Sequence, residues 1–370
     1  MEVNMAIKSI KVANVLAFQR QLRINNADFI GREIKSGDVL SETFDLNFSD
    51  GINVLIGENG LGKTTLLKMI YAATQWSNQR TEPGKTQRLL HFFSNNLNDN
   101  EMLKNTDYKN ALCYYVVSDG EHEFKDSLTH NGIIDFDDWL GLNIQSVFIP
   151  TTEMLSHSKG FLALNQKYKM PFDGTQIDII VNASLPEAKE ISESMNLILR
   201  KIGEAIDGKV IQEDDTFYVV KNDGAKIDFS LEAEGLRKLA LLWKLIRNGL
   251  LEKDSILLWD EPEANLNPEL FPLVAEILLS LEEQGVQIFI ATHSYNFAKY
   301  LEIRRKSKEQ VQYHNLYKAA PYVPDTVVKM DDTVNDKDEI FSVSSYYMQD
   351  LHPNHIMLAD KKLLDEVYNM

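Results

Sequence analysis

The sequence predicts an α/β fold: an open sheet organised around a phosphate-binding loop, an antiparallel β layer beside it, and an inserted, mainly helical lobe. Three stretches carry this prediction. Gly57-Glu58-Asn59-Gly60-Leu61-Gly62-Lys63-Thr64 fits the pattern G-x-x-x-x-G-K-[ST]. It stands between an apolar run at 51–56 and a helical apolar face of Leu66, Leu67, Ile70 and Tyr71. Ile256-Leu257-Leu258-Trp259-Asp260-Glu261 brings two carboxylates to the end of an apolar strand, where open α/β sheets place ligands. Ile288-Phe289-Ile290-Ala291-Thr292-His293 is a further apolar strand, ending in a histidine at the same sheet edge.

The first stretch implies a phosphate cradle. Glycines let backbone N–H groups turn inward around an anion that a β-carbon would keep away, and the following helix offers its N-terminus to the same charge. The expected nucleotide contacts are Asn59, Gly60, Gly62, Lys63, Thr64, Thr65 and Asp260. Lys63 would reach the β- and γ-phosphates. Thr64 would bind Mg²⁺, with Asp260 orienting the ion. Glu261 stands where a general base could polarise the attacking water, and His293 where it could contact the γ-phosphate. ATP and Mg²⁺ are therefore the expected cofactors.

With 370 residues, 44% of them hydrophobic, the chain can bury one large or two ordinary cores. A net charge of −17 argues against a protein that coats nucleic acid by bulk attraction, although a local basic groove would still allow nucleic-acid contact. Arg304-Arg305-Lys306 with Lys308 lies beyond the last recognisable strand and reads as a solvated helix end. A single cysteine, Cys113, excludes an intramolecular disulfide framework and a cysteine-rich zinc site. No apolar run approaches the ~20 residues of a membrane span, so a cytoplasmic protein with no membrane partner is expected.

From the N-terminus, 6–25 begins with period-two alternation and predicts an edge-forming antiparallel strand; 42–48 alternates likewise. The helix after the P-loop is expected to run to about Trp76. Residues 77–110 are rich in Asn, Thr, Gln and Asp and read as a surface loop or mobile insertion. Strands follow at 111–117, entering a turn at 118–120, and at 146–149, stopped by Pro150. Ile191, Met195, Ile198, Leu199 and Ile202 recur at helical spacing, so 150–208 is expected to be a helical lobe. A hairpin at 217–229 leads to a helix at 236–250 with a core stripe of Leu239, Leu242, Trp243 and Ile246. Asn267 and Pro268 open the next helix. In the acidic tail, Asp331, Asp332, Asp336 and Asp338 read as a solvated linker. The expected organisation is an N-terminal lobe at 1–76, an insertion at 77–224, a second lobe at 225–300 and an extension at 301–370.

The P-loop, the Asp260-Glu261 strand and His293, in that order, resemble the ABC-type ATPase superfamily and its RecF/SMC/OLD-like branch of stand-alone ATPases, over roughly 1–75 and 225–300. The resemblance implies a RecA-like core and a D-loop across 263–267, carrying Asn265 and Asn267. It also implies a homodimer or higher homo-oligomer in which two such domains pair head to tail and sandwich ATP against a signature segment. That segment falls at 231–238, with Ala233, Glu234, Gly235 and Arg237 on the L-S-G-G-Q pattern. Gly235 keeps the glycine that approaches the partner's phosphate, whereas Ala233 lacks the serine hydroxyl. Arg237 or Lys238 could supply charge instead, or Ser230 could substitute in a shifted register. Gln145 precedes its strand where a Q-loop glutamine would follow it, which leaves Thr151, Thr152 and Glu153 for that position. The stretches 234–238 and 259–268 look like bacterial AAA-15/AAA-21-type ATPases, many linked to antiphage defence of the Septu-like and retron-associated kind. This similarity implies a separately encoded nuclease or toxin effector. The alternative is a repair-type ATPase that binds DNA; a transporter subunit ranks third.

Overall fold

The computed structural model describes residues 6–18, 21–24, 39–78, 89–93, 100–105, 113–128, 134–135, 138–168, 170–319 and 339–369. The strands in chain order are β1 (Ser9–Ala13), β2 (Gln21–Ile24), β3 (Val39–Glu42), β4 (Phe44–Asn47), β5 (Ile52–Ile56), β6 (Tyr114–Ser118), β7 (Glu123–Ser127), β8 (Ile134–Asp135) and β9 (Ser146–Ile149). They continue with β10 (Gly208–Glu213), β11 (Thr216–Lys221), β12 (Lys226–Asp228), β13 (Ile256–Asp260), β14 (Gln287–Thr292), β15 (Val311–Ala319) and β16 (Glu339–Ser345). The helices are α1 (Lys63–Ser77), α2 (Phe161–Tyr168), α3 (Gly174–Ala183), α4 (Glu193–Ala205), α5 (Glu234–Arg247), α6 (Phe271–Glu282), α7 (Tyr295–Arg304) and α8 (His355–Tyr368).

A six-stranded sheet, ordered β16-β15-β5-β14-β13-β9, forms the centre. Its four inner pairings are parallel, and β16 closes one edge antiparallel. Every residue of β5, β9, β13 and β14 is buried, as continuous apolar runs require when both faces of a parallel sheet are covered. Side-chain alternation divides each strand between two cores. Leu55, Phe148, Ile256, Leu258, Phe289 and Ala291 pack with α1 and the antiparallel layer. Val54, Ile56, Val147, Trp259, Ile288 and Ile290 pack with α3 to α7 on the other side. Burying one such large aliphatic side chain stabilises by roughly 1.5–3 kcal/mol, so the sheet is the best-anchored platform available for a site.

The antiparallel layer is a five-stranded sheet, β4-β1-β6-β7-β8. The strand expected at its edge is internal: β1 pairs with β4 on one side and β6 on the other. Buried Gln287 ties this layer to the centre, accepting from Ile7 N–H at 2.8 Å and donating to the carbonyls of Ile7 at 2.9 Å and Ser49 at 2.8 Å. Helices α2 to α4 occupy the stretch expected to be helical, and β10-β11-β12 extends the expected hairpin by one strand.

The basic run at 304–308 is followed by two strands that the sequence did not signal, so β14 is not the last. β15 pairs parallel with the P-loop strand β5. Arg304 meets Glu276 at 2.7 Å, and Arg305 donates to the Tyr346 carbonyl and lies over the Tyr347 ring. Asp331, Asp332, Asp336 and Asp338 lie outside the described residues, as do parts of 77–110. Among the described residues no helix is long and apolar enough to cross a membrane.

Candidate active site

Parallel pairing brings the carboxyl ends of four strands level. Trp259 lies opposite Ile149, Asp260 opposite Ala291, and Thr292 opposite Ile56. The residues that follow each strand, including the P-loop, Thr151, Glu261 and His293, therefore gather at one sheet edge.

The P-loop backbone needs its glycines. Gly57, Gly60 and Gly62 have φ of 142°, 80° and 83°, values that a β-carbon resists. A Cβ on Gly62 would also lie 2.5 Å from the Phe18 ring, and one on Gly57 2.5 Å from the Leu316 carbonyl oxygen. Gly60 has open space around it, and Asn59 beside it is exposed. Gly62 caps α1 without a side-chain bond, which leaves the first N–H groups of the helix free to meet an anion. Thr65 is buried in the first turn of that helix.

Lys63 is nearly buried, and its ammonium donates to the carbonyls of Gly57 and Glu58, each at 2.8 Å. Burial lowers its pKa, opposed by the negative charges of Glu261, Asp260, Glu263 and Glu58. The Thr64 hydroxyl donates to Asp260, with its oxygens at 2.9 and 3.0 Å. A second hydroxyl, from Thr151, reaches Asp260 Oδ2 at 2.9 Å. Burial raises the Asp260 carboxyl, opposed by these two hydroxyls. Glu261 has a left-handed backbone, φ 49°, and its Oε1 lies 3.2 Å from Nδ1 of the half-exposed His293. Behind them, buried Glu263 accepts from the Thr292 hydroxyl.

The signature segment is organised within its own chain. Ala233 caps α5 without a side-chain bond, and Glu234 accepts from Asn265 Nδ2 at 2.8 Å. A Cβ on Gly235 would sit 2.8 Å from the Asn265 carbonyl, so glycine here is demanded by close packing within the protomer. The two cations expected to offer free charge to a partner are engaged internally. Arg237 pairs with buried Glu153 at 3.1 Å, and Lys238 donates to the Glu261 carbonyl at 3.0 Å. Asn267 caps the turn at Pro268–Leu270, accepting from Glu269 N–H at 3.2 Å. Gln145 sits at the opposite sheet edge and donates to the carbonyls of Gly249 and Leu250. Of the three residues left for the Q-loop position, Thr151 is the one bonded to Asp260; only its place directly after an apolar strand could have singled it out.

Comparison with known proteins joins this geometry to a family. Residues 150–298 match the AAA domain family described as "putative AbiEii toxin, Type IV TA system", and 33–196 match a second AAA domain family. The chain is similar to the arginine transport ATP-binding protein ArtP of Haemophilus influenzae, 41% identical over 54 residues. It is also similar to the glutamine transport ATP-binding protein GlnQ of Bacillus subtilis, 35% identical over 54 residues. Each match covers 15% of this chain and only 22% of the relative's length. A solved SMC head bound to the C-winged helix domain of ScpA superposes with a TM-score of 0.50 at 12% identity, covering 93% of this chain and 99% of that one. The chain has an ABC/SMC-like P-loop fold.

The site has a donor set suited to its expected ligands. A hydroxyl and a carboxylate, Thr64 and Asp260, are hard oxygen donors of the kind Mg²⁺ takes alongside phosphate and water. The open space at Gly60 and the free N–H groups of α1 suit a polyphosphate. Lys63 holds only backbone carbonyls of its own loop, partners that an anion would replace.

Proposed function

We propose that this ATPase hydrolyses Mg·ATP at the sheet edge, and that paired copies use the cycle as a switch governing a separately encoded nuclease or toxin-type effector. One observation carries the catalytic part: phosphate-directed Lys63, the Thr64–Asp260 pair and the Glu261–His293 pair, drawn from three separate strands, meet at one edge. Lys63 and the N–H groups of α1 bind and neutralise the phosphates. Thr64 and Asp260 would hold Mg²⁺, which when bound would offset the charge that develops on the transferring phosphoryl group. Glu261 accepts a proton from the attacking water through Oε1 or Oε2, and His293 steadies that carboxylate beside the γ-phosphate.

The switch rests on the resemblance to ABC-type dimers and on the placement of α5, whose first turn packs against Asn265 beside the catalytic strand. The effector rests on the toxin–antitoxin description of the matching family. A net charge of −17 sets DNA repair second.

The test is sedimentation of Glu261→Gln with Mg·ATP, beside steady-state phosphate release. The expected result is a dimer that persists with ATP and dissociates with ADP, while turnover falls about 100-fold or more. A monomer under all nucleotides would refute the switch, and unchanged turnover would refute the role of Glu261.

A further inference from the structure

We infer that Lys238 is a positioning residue for Glu261: it fixes the backbone from which the catalytic carboxylate projects, and so sets the rate of cleavage without contributing to nucleotide binding. This rests on Glu261 being the base.

Lys238 is 1% exposed, the most deeply buried lysine among the described residues. Removing an ammonium from water costs several kcal/mol unless it is well partnered. Its Nζ donates to the main-chain carbonyl of Glu261 at 3.0 Å, beneath the cluster of Asp260, Glu261 and Glu263. One oxygen of Glu263, Oε2, is buried with no hydrogen-bond partner among the described residues, and Lys238 has Glu263, Glu234, Glu261 and Asp260 as acidic neighbours.

Glu261 needs such a hold. A non-glycine residue in the left-handed region brings its Cβ too close to the following carbonyl oxygen, and the surroundings must enforce it. Its N–H is held by the Ala291 carbonyl at 2.9 Å, which belongs to the sheet. Its carbonyl is held by Lys238 and by the Ala264 N–H at 3.1 Å. Helix α5 grips both ends of this turn: Glu234 takes Asn265 at 2.8 Å, and Lys238, one helical turn later, takes Glu261. The same spacing ties the first turn of α5, where Gly235 lies, to Asn265, at the far end of the turn that Glu261 opens. Lys63 differs in kind, because its partners are phosphate-loop carbonyls beside open space. Lys238 is buried, and among the described residues its hydrogen bond goes to Glu261 rather than to the phosphate loop.

Lys238→Met, which keeps the length of the side chain and removes the ammonium, tests this. A misplacement of about 1 Å at a catalytic group can cost about 100-fold. The expected result is a 10- to 100-fold slower single-turnover cleavage, with the Kd for a fluorescent ATP analogue within about twofold of the wild type. Combined with Glu261→Gln, Lys238→Met should slow cleavage no further, since both act on one group. Lys238→Arg, which keeps charge and a donor, should fall between methionine and lysine. Should the methionine variant fail to fold, arginine carries the test: cleavage slowed at least threefold with Kd unchanged supports the inference, and wild-type cleavage overturns it. A weakened Kd matching the loss of rate, or additivity with Glu261→Gln, also overturns it. Wild-type rate in Glu261→Gln itself would instead refute the assignment of the base.

Discussion

Two buried lysines flank one group of carboxylates from opposite sides, and they do different things. Lys63, from the P-loop, spans two carbonyls of its own loop beside the open space at Gly60. Lys238, from α5, is buried and reaches the main-chain carbonyl of Glu261, the proposed base. Burial lowers the pKa of both ammonium groups, and neighbouring carboxylates oppose the shift in both. Their electrostatic settings are therefore alike. What separates them is whether a ligand can replace the partners, which makes one a binding group and the other a support.

The largest effect expected from breaking this contrast is at Lys63. Lys63→Ala removes a charged donor worth about 1.5–3 kcal/mol, so ATP affinity should fall about 10- to 100-fold in equilibrium titration while the fold is kept. Equal losses of affinity in Lys63→Ala and Lys238→Met would erase the distinction. Gly62→Ala should come next. A left-handed φ of 83° and a Cβ set 2.5 Å from the Phe18 ring predict a loss of about 2 kcal/mol in denaturant unfolding. Thr151→Val removes one of the two hydroxyls on Asp260. One hydrogen bond, about 1 kcal/mol, should raise the Mg²⁺ concentration for half-maximal turnover about fivefold, with ATP affinity in the absence of metal unchanged.

A pH-dependent effect is expected where α1 meets the helical lobe. Asp178 of α3 is half-buried and its pKa is raised to about 6, chiefly by desolvation, with the Tyr71 hydroxyl at 3.0 Å opposing the rise. Because the folded pKa exceeds the unfolded one, this group favours the native state below about pH 4, and that contribution is lost as pH rises through about 6. Asp178→Asn should therefore gain stability relative to the wild type across that window, and the difference should level off above it. A pH-independent difference in urea midpoints would contradict the assignment.

The P-loop edge was legible in the sequence because each part advertises itself. β5, β13 and β14 are unbroken apolar runs, and the polar residues at their ends have no structural reason to cluster there. The α5 side was not. Lys238 precedes the apolar stripe of Leu239, Leu242, Trp243 and Ile246 and reads as charge offered within the signature segment. Only the fold brings Glu261 over it. β15 escaped notice for a related reason: its buried centre holds His314, which meets Ser344 Oγ at 2.8 Å and Asn53 Oδ1 at 3.2 Å. Polar pairs satisfied across strands hide a core strand from any test of hydropathy. Gln145, set aside for the Q-loop because it precedes its strand, does serve the opposite end of it.

The central claim is that Glu261, held at this edge beside Thr64 and Asp260, cleaves ATP. Rapid-quench measurement of a single turnover, with enzyme in excess over Mg·ATP, tests it most directly. The account predicts that the wild type converts its bound ATP to ADP, while Glu261→Gln binds ATP with equal affinity and leaves it intact on the same timescale. Equal cleavage rates in the two proteins would contradict it.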